Sequence, residues 1–540
     1  MTLRSPLVLP LLLAPPAVAQ CPLDPLATGA APGDELGAAL ALAGDRAWVG
    51  VPGADAQAGA VRVFHVDGEG WIEEAPLAPA TPAAGARFGA ALAFGAGRLA
   101  VGAPADPGHA AASGAVYLFE SDGAGLAQAA RLLPPQAGAD FGAAVGVDGE
   151  WVAVGAPRAR AAGVVTGAVY LFRLDALDWK LMQCLELPTP QVDARFGAAL
   201  ELVGERLIVG APGALAGLGD ARVFDFADGA WLESEWLLPP YPQPGAAFGS
   251  AVAIDGPRAL VGAPLHDGAA ADSGAAFLFE WPESPWGEGW TPRDPAASHF
   301  GARVALAPTR ALVGAPASDA AGALDCGAAY LFEKSEFGWI ESTRFEPPVL
   351  LAGAAFGSAV SIDDGRALVA APELGAGEAH TFEQPRALVR FCYCYFTAPC
   401  GNPDREAGCA TSSGAGALLS VCGSASVTSD DLVLRARGVP AHEFGLMFMG
   451  GGQTQVAFGD GNRCVSSGAT GVFRFPIARS SADGALTAGP GLVAHSLGFA
   501  DAGRLRAGDT WNFQCWFRDP GGPCGSAFNL TNGLEITFSP

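Results

Sequence analysis

FGAALAFGAGRLAVGAPADPGHAAASGAVYLF, residues 88–119, is the stretch from which the rest of the chain can be read. Its parts return at intervals of about 53 residues, the signature of a repeat architecture. The FG pair recurs at Phe141-Gly142, Phe196-Gly197, Phe248-Gly249, Phe300-Gly301 and Phe356-Gly357, and Leu36-Gly37 is a degenerate first copy. VGAP begins at Val101, Val154, Val209, Val261 and Val313, with VGVP from Val49 and VAAP from Val369 as variants. The step from the Phe of FG to the second residue of VGAP is 14 residues in all seven copies, counting Leu36 as Phe. A third element follows as GAVRVF, GAVYLF (twice), DARVF, GAAFLF, GAAYLF or EAHTF. Seven residues after its Phe stands a Trp in five copies: Trp71, Trp179, Trp231, Trp286 and Trp339; Leu126 replaces it in the second. Constant spacings mean fixed structure, with variation confined to the loop after VGAP.

Each copy reads as four short strands. FGAALAL alternates small and apolar residues. A tight turn follows, at Gly44-Asp45, Asp148-Gly149, Asp255-Gly256 or Asp363-Asp364-Gly365, where glycine supplies the positive φ of a two-residue hairpin. RLAVGAP is the second strand, stopped by Pro, and GAVYLF the third, rich in β-branched and aromatic residues. The fourth starts at the Trp and ends in a Pro-rich link such as Leu132-Leu133-Pro134-Pro135. Four strands per unit, seven units and no helical period predict an all-β chain built on a seven-bladed β-propeller over residues 20–390. A linear solenoid would need capping repeats, and none is visible. PLATGAAPGDELG near the N-terminus resembles the inter-repeat segment PLAPATPAAGARFG, so residues near Leu23 to Leu26 are a candidate for the closing strand of the seventh blade. Arg386 to Phe391 is the alternative.

FG followed by GAP in seven copies resembles the FG-GAP repeats of integrin α-chain propellers and their bacterial relatives. The resemblance covers residues 22 to about 385. It implies a propeller and leaves function open, because such scaffolds host adhesion, scaffolding and catalysis alike. Many FG-GAP repeats carry a DxDxDGxxD calcium loop between FG and GAP. Here that interval is a short turn with mostly single acids, Asp45, Asp148, Asp255 and Asp363, and calcium wants six to eight oxygens. The chain looks like the shorter, calcium-free bacterial variety, and no cofactor is expected.

The net charge is −24, of which −2 falls in residues 391–540. That surface repels nucleic acid and anionic membrane. Residues 1–19 read as a secretory signal: Arg4, the apolar run Leu7 to Leu13, and Ala17-Val18-Ala19 as cleavage site. The run is too short to span a bilayer, and no later stretch is long and apolar enough. Cys21 raises lipidation, but Gln20 stands where a lipobox wants a small residue. The chain is therefore expected to be exported, to the medium or the cell-envelope surface, as a monomer.

Composition shifts at about residue 391. Cys392, Cys394, Cys400, Cys409, Cys422, Cys464, Cys515 and Cys524 follow, an even set that in an exported chain reads as a disulfide framework. The rival, a metal site at Cys392, Cys394, Cys400 and Cys409, lacks the CxxC knuckle that zinc favours. LVLRARGV, EFGLMFMGG, WNFQCWFRDP and GLEITFSP read as strands of a β-sandwich-like domain over 391–540, resembling a C-terminal module of assorted exported bacterial proteins. Such a position suggests surface attachment or sorting. Trp511, Trp516 and Phe517 read as core aromatics, with a sugar-stacking platform as the alternative. Asn529-Leu530-Thr531 matches a glycosylation sequon.

The seven His (His65, His109, His266, His299, His380, His442 and His495) form no HxH or HExxH pair, and no GxSxG elbow occurs. No catalytic residue, metal ligand or cofactor site can be named. Loops on a rigid scaffold carry most binding residues, which points to those after VGAP, with His266, Asp267, Asp272, Asp319 and Asp325 as candidates. The expectation is a secreted or surface-bound binding, adhesion or structural module that recognises an extracellular protein or glycan. The alternative is an extracellular polysaccharide-acting enzyme, a glycosidase or lyase, with acids at the propeller channel.

Overall fold

The repeat places a glycine wherever two backbones must touch, and that requirement organises the first of two compact units, Leu23–Arg390 with Ser420–Ala425. The second is Phe391–Leu419 with Ser426–Pro540. The computed structural model describes residues 24–540 except 28–30, 68–69, 109–112, 122–124, 137, 177, 269, 282–283, 293–297, 321–322, 336–337, 364, 374, 376, 384–387, 396–397, 405–406 and 483. The signal segment 1–19, Cys21, His109 and Asp364 lie outside the described residues, as does the side chain of Trp286.

Among the described residues the first unit contains seven four-stranded antiparallel sheets. The second is representative: Ala91–Gly95, Arg98–Ala103, Ala115–Ser121 and Leu126–Leu132, in chain order from inside to outside. The inner strand of each sheet lies beside that of the next, and Leu40–Ala43 of the first lies beside Ala359–Ile362 of the last, so the inner strands close a ring. The chain is all-β here, with propeller blades as the repeating unit.

The seventh sheet is completed from the other end of the chain. Asp24–Ala27 pairs antiparallel with Glu378–Glu383, and Leu26 and Ala27 are buried in the core between the seventh and first sheets. The alternative closing strand is excluded, because Leu388–Phe391 forms the edge of a different sheet beside Gly533–Thr537. The outer edge of Glu378–Glu383 is already taken by Asp24–Ala27.

The hairpin turns follow expectation with one shift of register. Asp148 pairs with Trp151 and Asp255 with Arg258, so the two turn residues are Gly149-Glu150 and Gly256-Pro257. Glycine takes the first central position, with φ of 54–59° at Gly44, Gly149, Gly204 and Gly256. The aspartate precedes the turn, and Asp148 Oδ2 accepts the Gly204 N–H of the next sheet at 2.7 Å.

The repeated sequence explains the packing between sheets. The FG glycines have φ between 85° and 94°, from Gly197 to Gly357, a conformation costly for any residue with a Cβ. The GAP glycine of each sheet receives the FG carbonyl of the next. A Cβ on Gly102 would stand 2.1 Å from Gly142 O, on Gly210 2.0 Å from Gly249 O, and on Gly262 1.9 Å from Gly301 O. The FG phenylalanines are fully buried and sit against a third-strand ring, as in Phe88–Tyr117 at 5.3 Å and Phe300–Tyr330 at 5.2 Å between centroids. Each such burial contributes about 1.5–3 kcal/mol.

The second unit holds the four expected strands as Val433–Arg437, Phe444–Gly450, Thr510–Arg518 and Gly533–Thr537. The last three share one sheet, and Val433–Arg437 lies between Leu418–Cys422 and Leu486–Ala488. Three disulfides are formed: Cys392–Cys464, Cys394–Cys409 and Cys400–Cys524. Cys422 is also disulfide-bonded. The eight cysteines do not all pair among themselves, however. Cys515 is a thiol in the middle of a core strand, fully buried, and burial pushes its pKa well up. The partner of Cys422 is thus not in the set. Cys184 and Cys326 are also thiols.

Gly210→Ala is expected to destabilise the protein by about 1–3 kcal/mol, because its Cβ meets backbone that cannot swing away. Gly125→Ala, with nothing within 4 Å of its Cβ, should stay within about 0.5 kcal/mol. Thermal unfolding of the two variants decides the point. Deleting residues 20–30 should lower the melting temperature of the whole ring by removing its closing strand, and an unchanged melt would contradict the closure.

Candidate functional site

The link before each FG pair and the loop after each VGAP emerge at the same end of the sheets. Isolated parallel bridges join them, at Gly59 with Phe88, Gly114 with Phe141, Gly167 with Phe196, Gly219 with Phe248, Gly274 with Phe300 and Gly327 with Phe356. The residue before the FG pair is left-handed in every copy, from Ala247 and Ala355 to Arg87 and His299, with φ of 51–57°. The links and loops thereby form one face on a rigid base.

The five loop residues singled out from sequence lie on this face as two pairs and a lone His. Asp267 is turned to its own loop: Oδ1 accepts the Asp272 N–H at 3.0 Å and Oδ2 the Gln243 side-chain amide at 2.8 Å. Asp319 Oδ1 accepts the Asp325 N–H at 2.9 Å. Asp272 and Asp325 are themselves left-handed, at φ 51° and 52°. His266 packs on Phe277 at 5.9 Å between centroids, its Nδ1 is buried without a partner, and burial lowers its pKa against the opposing pull of Asp267. These side chains hold the loops in shape. Among the described residues, no group of three or more His, Cys, Asp or Glu is placed to hold a metal ion.

Two features of the face escape motif reading. The first is apolar exposure on links and loops, at Val192, Leu238, Tyr241, Leu324, Val349 and Leu351, with Tyr241 at 76% and Val192 at 74%. The second is an ion-pair cluster in the fourth sheet, where the third strand begins with Asp220 instead of the alanine of its neighbours. Asp220 is fully buried. Its Oδ2 accepts from Arg222 Nη2 and from Trp236 Nε1, each at 3.0 Å. Arg222 also pairs with Glu233 at 2.9 Å, and its guanidinium carbon lies 4.9 Å from the Trp236 ring centroid. Burial raises the Asp220 pKa, and Arg222 opposes the rise. Trp236 is half exposed, so the cluster fixes an aromatic surface beside Leu238 and Tyr241 on one link. The departure of DARVF from GAVYLF was the available signal.

Within the inner strands the acids are Asp148, Glu201 and Asp255. Glu201 Oε2 accepts the Ile254 N–H at 2.6 Å, and burial, with Asp255 adding to it, pushes its pKa up to about 7. In the second unit Trp511 and Phe517 are buried, and Trp516 packs on Phe528, which places these aromatics in the core. Asn529 is buried, its amide donating to Cys409 O at 3.1 Å, so the sequon is closed to glycosylation in the folded protein.

The profile of the family described as FG-GAP repeat matches residues 71–119, 127–172, 231–279 and 291–332. Three of these matches start within an outer or fourth strand and end in the third strand of the following sheet, so the sequence repeat is offset from the blade. No curated protein matches the chain.

The raised Glu201 pKa makes a signed prediction. Its protonated form is favoured in the fold, so its contribution to stability is full below about pH 4.5 and is lost as the pH rises through about 7. Glu201→Gln, neutral throughout, should stabilise the protein at pH 8, on the order of 1–3 kcal/mol, and change little at pH 4.5. Melting curves at the two pH values test it, and an equal shift at both would contradict it.

Proposed function

We propose that this FG-GAP repeat protein is an exported recognition module that holds an extracellular protein or glycan on the loop face of its propeller. The observation that carries the reading is the link from the fourth to the fifth sheet. There Leu238 and Tyr241 are exposed, as is Trp236 at the end of the strand that leads into the link, and Trp236 is held by Asp220 and Arg222. Exposed apolar side chains that serve no core cost solubility, and contiguous ones mark interaction sites. A fixed aromatic loses little freedom on binding, which is why Trp and Tyr dominate interface energetics. The disulfides and FG-GAP repeats agree with an extracellular setting. Among the described residues no helix is long and apolar enough to cross a membrane. The proposal needs no resident cofactor and no catalysis.

A second reading, a polysaccharide-acting enzyme, draws on Glu201 and Asp255. A carboxyl titrating near neutrality beside a second acid is the pairing glycoside hydrolysis uses. Loss of reducing-end release from a polysaccharide panel in Glu201→Gln would favour it, and activity unaffected by that change would remove it.

The recognition reading is tested on the full chain. Leu238→Ser with Tyr241→Ser should cut retention on the producing cell's own envelope and medium polymers by about tenfold or more, at unchanged melting temperature. Retention equal to the parent protein would remove the loop face from the account.

A further inference from the structure

Two residues beyond the FG glycine, at the loop-face end of the inner strand, six of the seven sheets carry alanine and the sixth sheet carries Arg303. Because the inner strands close a ring, these positions encircle its mouth. Arg303 is exposed to water. Surrounding protein nevertheless lowers its pKa by desolvation. Its place at the start of the inner strand Arg303–Leu306 of a closed ring puts it at the mouth of that ring.

Its polar partners are few. Arg303 Nη1 donates to Ala302 O at 2.8 Å, the carbonyl immediately before it in the chain. Among the described residues it has no ion-pair partner. Second-strand arginines do: Arg206 of the fourth sheet holds Asp225 at 2.8 Å, and Arg310 of the sixth sheet itself holds Glu333 at 3.5 Å. In a chain of net charge −24 carboxylates are plentiful, yet none among the described residues is placed on this guanidinium. The ring fold itself does not require it, since six sheets make the same contact with a methyl group.

We propose that Arg303 forms an anion site at the loop-face mouth of the ring and takes the carboxylate of an acidic side chain presented by a protein partner. The anion site stands on Arg303 alone, and the protein partner rests on the recognition reading above. Guanidinium and carboxylate match in a bidentate pair, strengthened where water is scarce. The choice of protein over polysaccharide follows from the mixed exposed rim, where the aliphatic Leu238, Leu324, Val349 and Leu351 outnumber the aromatic Trp236 and Tyr241. Aliphatic side chains bury well against other side chains, whereas sugars stack on aromatic faces. The arrangement would be a central charged anchor with an apolar surround that excludes water. The acidic balance of the chain repels such a ligand at long range, so the contact must be won locally.

The test uses the full chain at fixed ionic strength, with blocked glutamate (N-acetyl-glutamate methylamide), its glutamine counterpart and galacturonate as probes at about 100 mM. Blocked glutamate should raise the melting temperature by about 1–2 °C and the glutamine counterpart should not. Arg303→Ala should fold normally, alanine being what six sheets have there, and should lose the response; Arg303→Lys should keep part of it. A response that survives in Arg303→Ala, or equal effects of glutamate and glutamine on the parent protein, would overturn the site. A response to galacturonate alone would keep the anion site and overturn the protein assignment. If the glutamate response persists while the Leu238→Ser, Tyr241→Ser variant is retained normally, the loop-face reading fails and the anion site stands.

Discussion

The ring depends on one contact repeated between sheets, the carbonyl of an FG glycine lodged against the α-carbon of the preceding GAP glycine. The space for a Cβ at Gly50, Gly155 and Gly314 is already filled by the oxygens of Gly89, Gly197 and Gly357, at 2.0, 2.1 and 2.1 Å from where it would stand. Two backbones this close leave no slack, so sheets can only follow one another at a fixed angle, and a fixed angle repeated closes a ring. Closure itself is the exception. Ala370 replaces the GAP glycine, and a Cβ on Gly37 would stand 2.6 Å from the Ala370 methyl. The last contact is therefore between a methyl and a glycine, with only the FG glycine kept.

A second layer of contacts repeats at the opposite end of the sheets. Arginine opens the second strand in six sheets, and in four of them it reaches the turn of the next. Arg98 donates to Gly149 O at 2.7 Å, Arg206 to Gly256 O at 3.0 Å, and Arg366 to Gly44 O at 2.8 Å, the last spanning the closure. The same guanidiniums lie over Trp residues of the following sheet, as Arg98 over Trp179 and Arg366 over Trp71. The constant Trp of the repeat is thus a partner across sheets as well as a strand residue. One end of the ring is held by charged and aromatic contacts, which frees the other to vary.

Legibility in the sequence follows from these constraints. FG, GAP, the third strand and the Trp could be read because each is fixed by a backbone contact or a packed ring that tolerates few substitutes. The closing strand could be read only as two candidates. Asp24–Ala27 and Leu388–Phe391 are both short and apolar, and which one pairs with Glu378–Glu383 depends on a competing sheet far along the chain. Cys515 was misread because pairing parity says nothing about burial, and a thiol inside a core strand has no neighbour to reach. Asp267 and Asp319 accept backbone N–H groups of their own loops, a fact of geometry that composition does not contain.

In a repeated scaffold the informative residues are those that break the repeat without serving it. Asp220 stands where five sheets have alanine and the seventh has Glu378, and it places a charge in the core so that Trp236 is held at the surface. Arg303 also replaces alanine, and no carboxylate among the described residues answers it. Neither substitution improves the packing of the ring, which is complete in the sheets that lack them. Both lie at the end of the sheets where links and loops emerge, away from the arginines that bind one turn to the next. A selection acting only on stability would not favour Asp220, because a buried charge destabilises unless it is fully paired. Their presence at one end of the ring argues that this end meets something other than water.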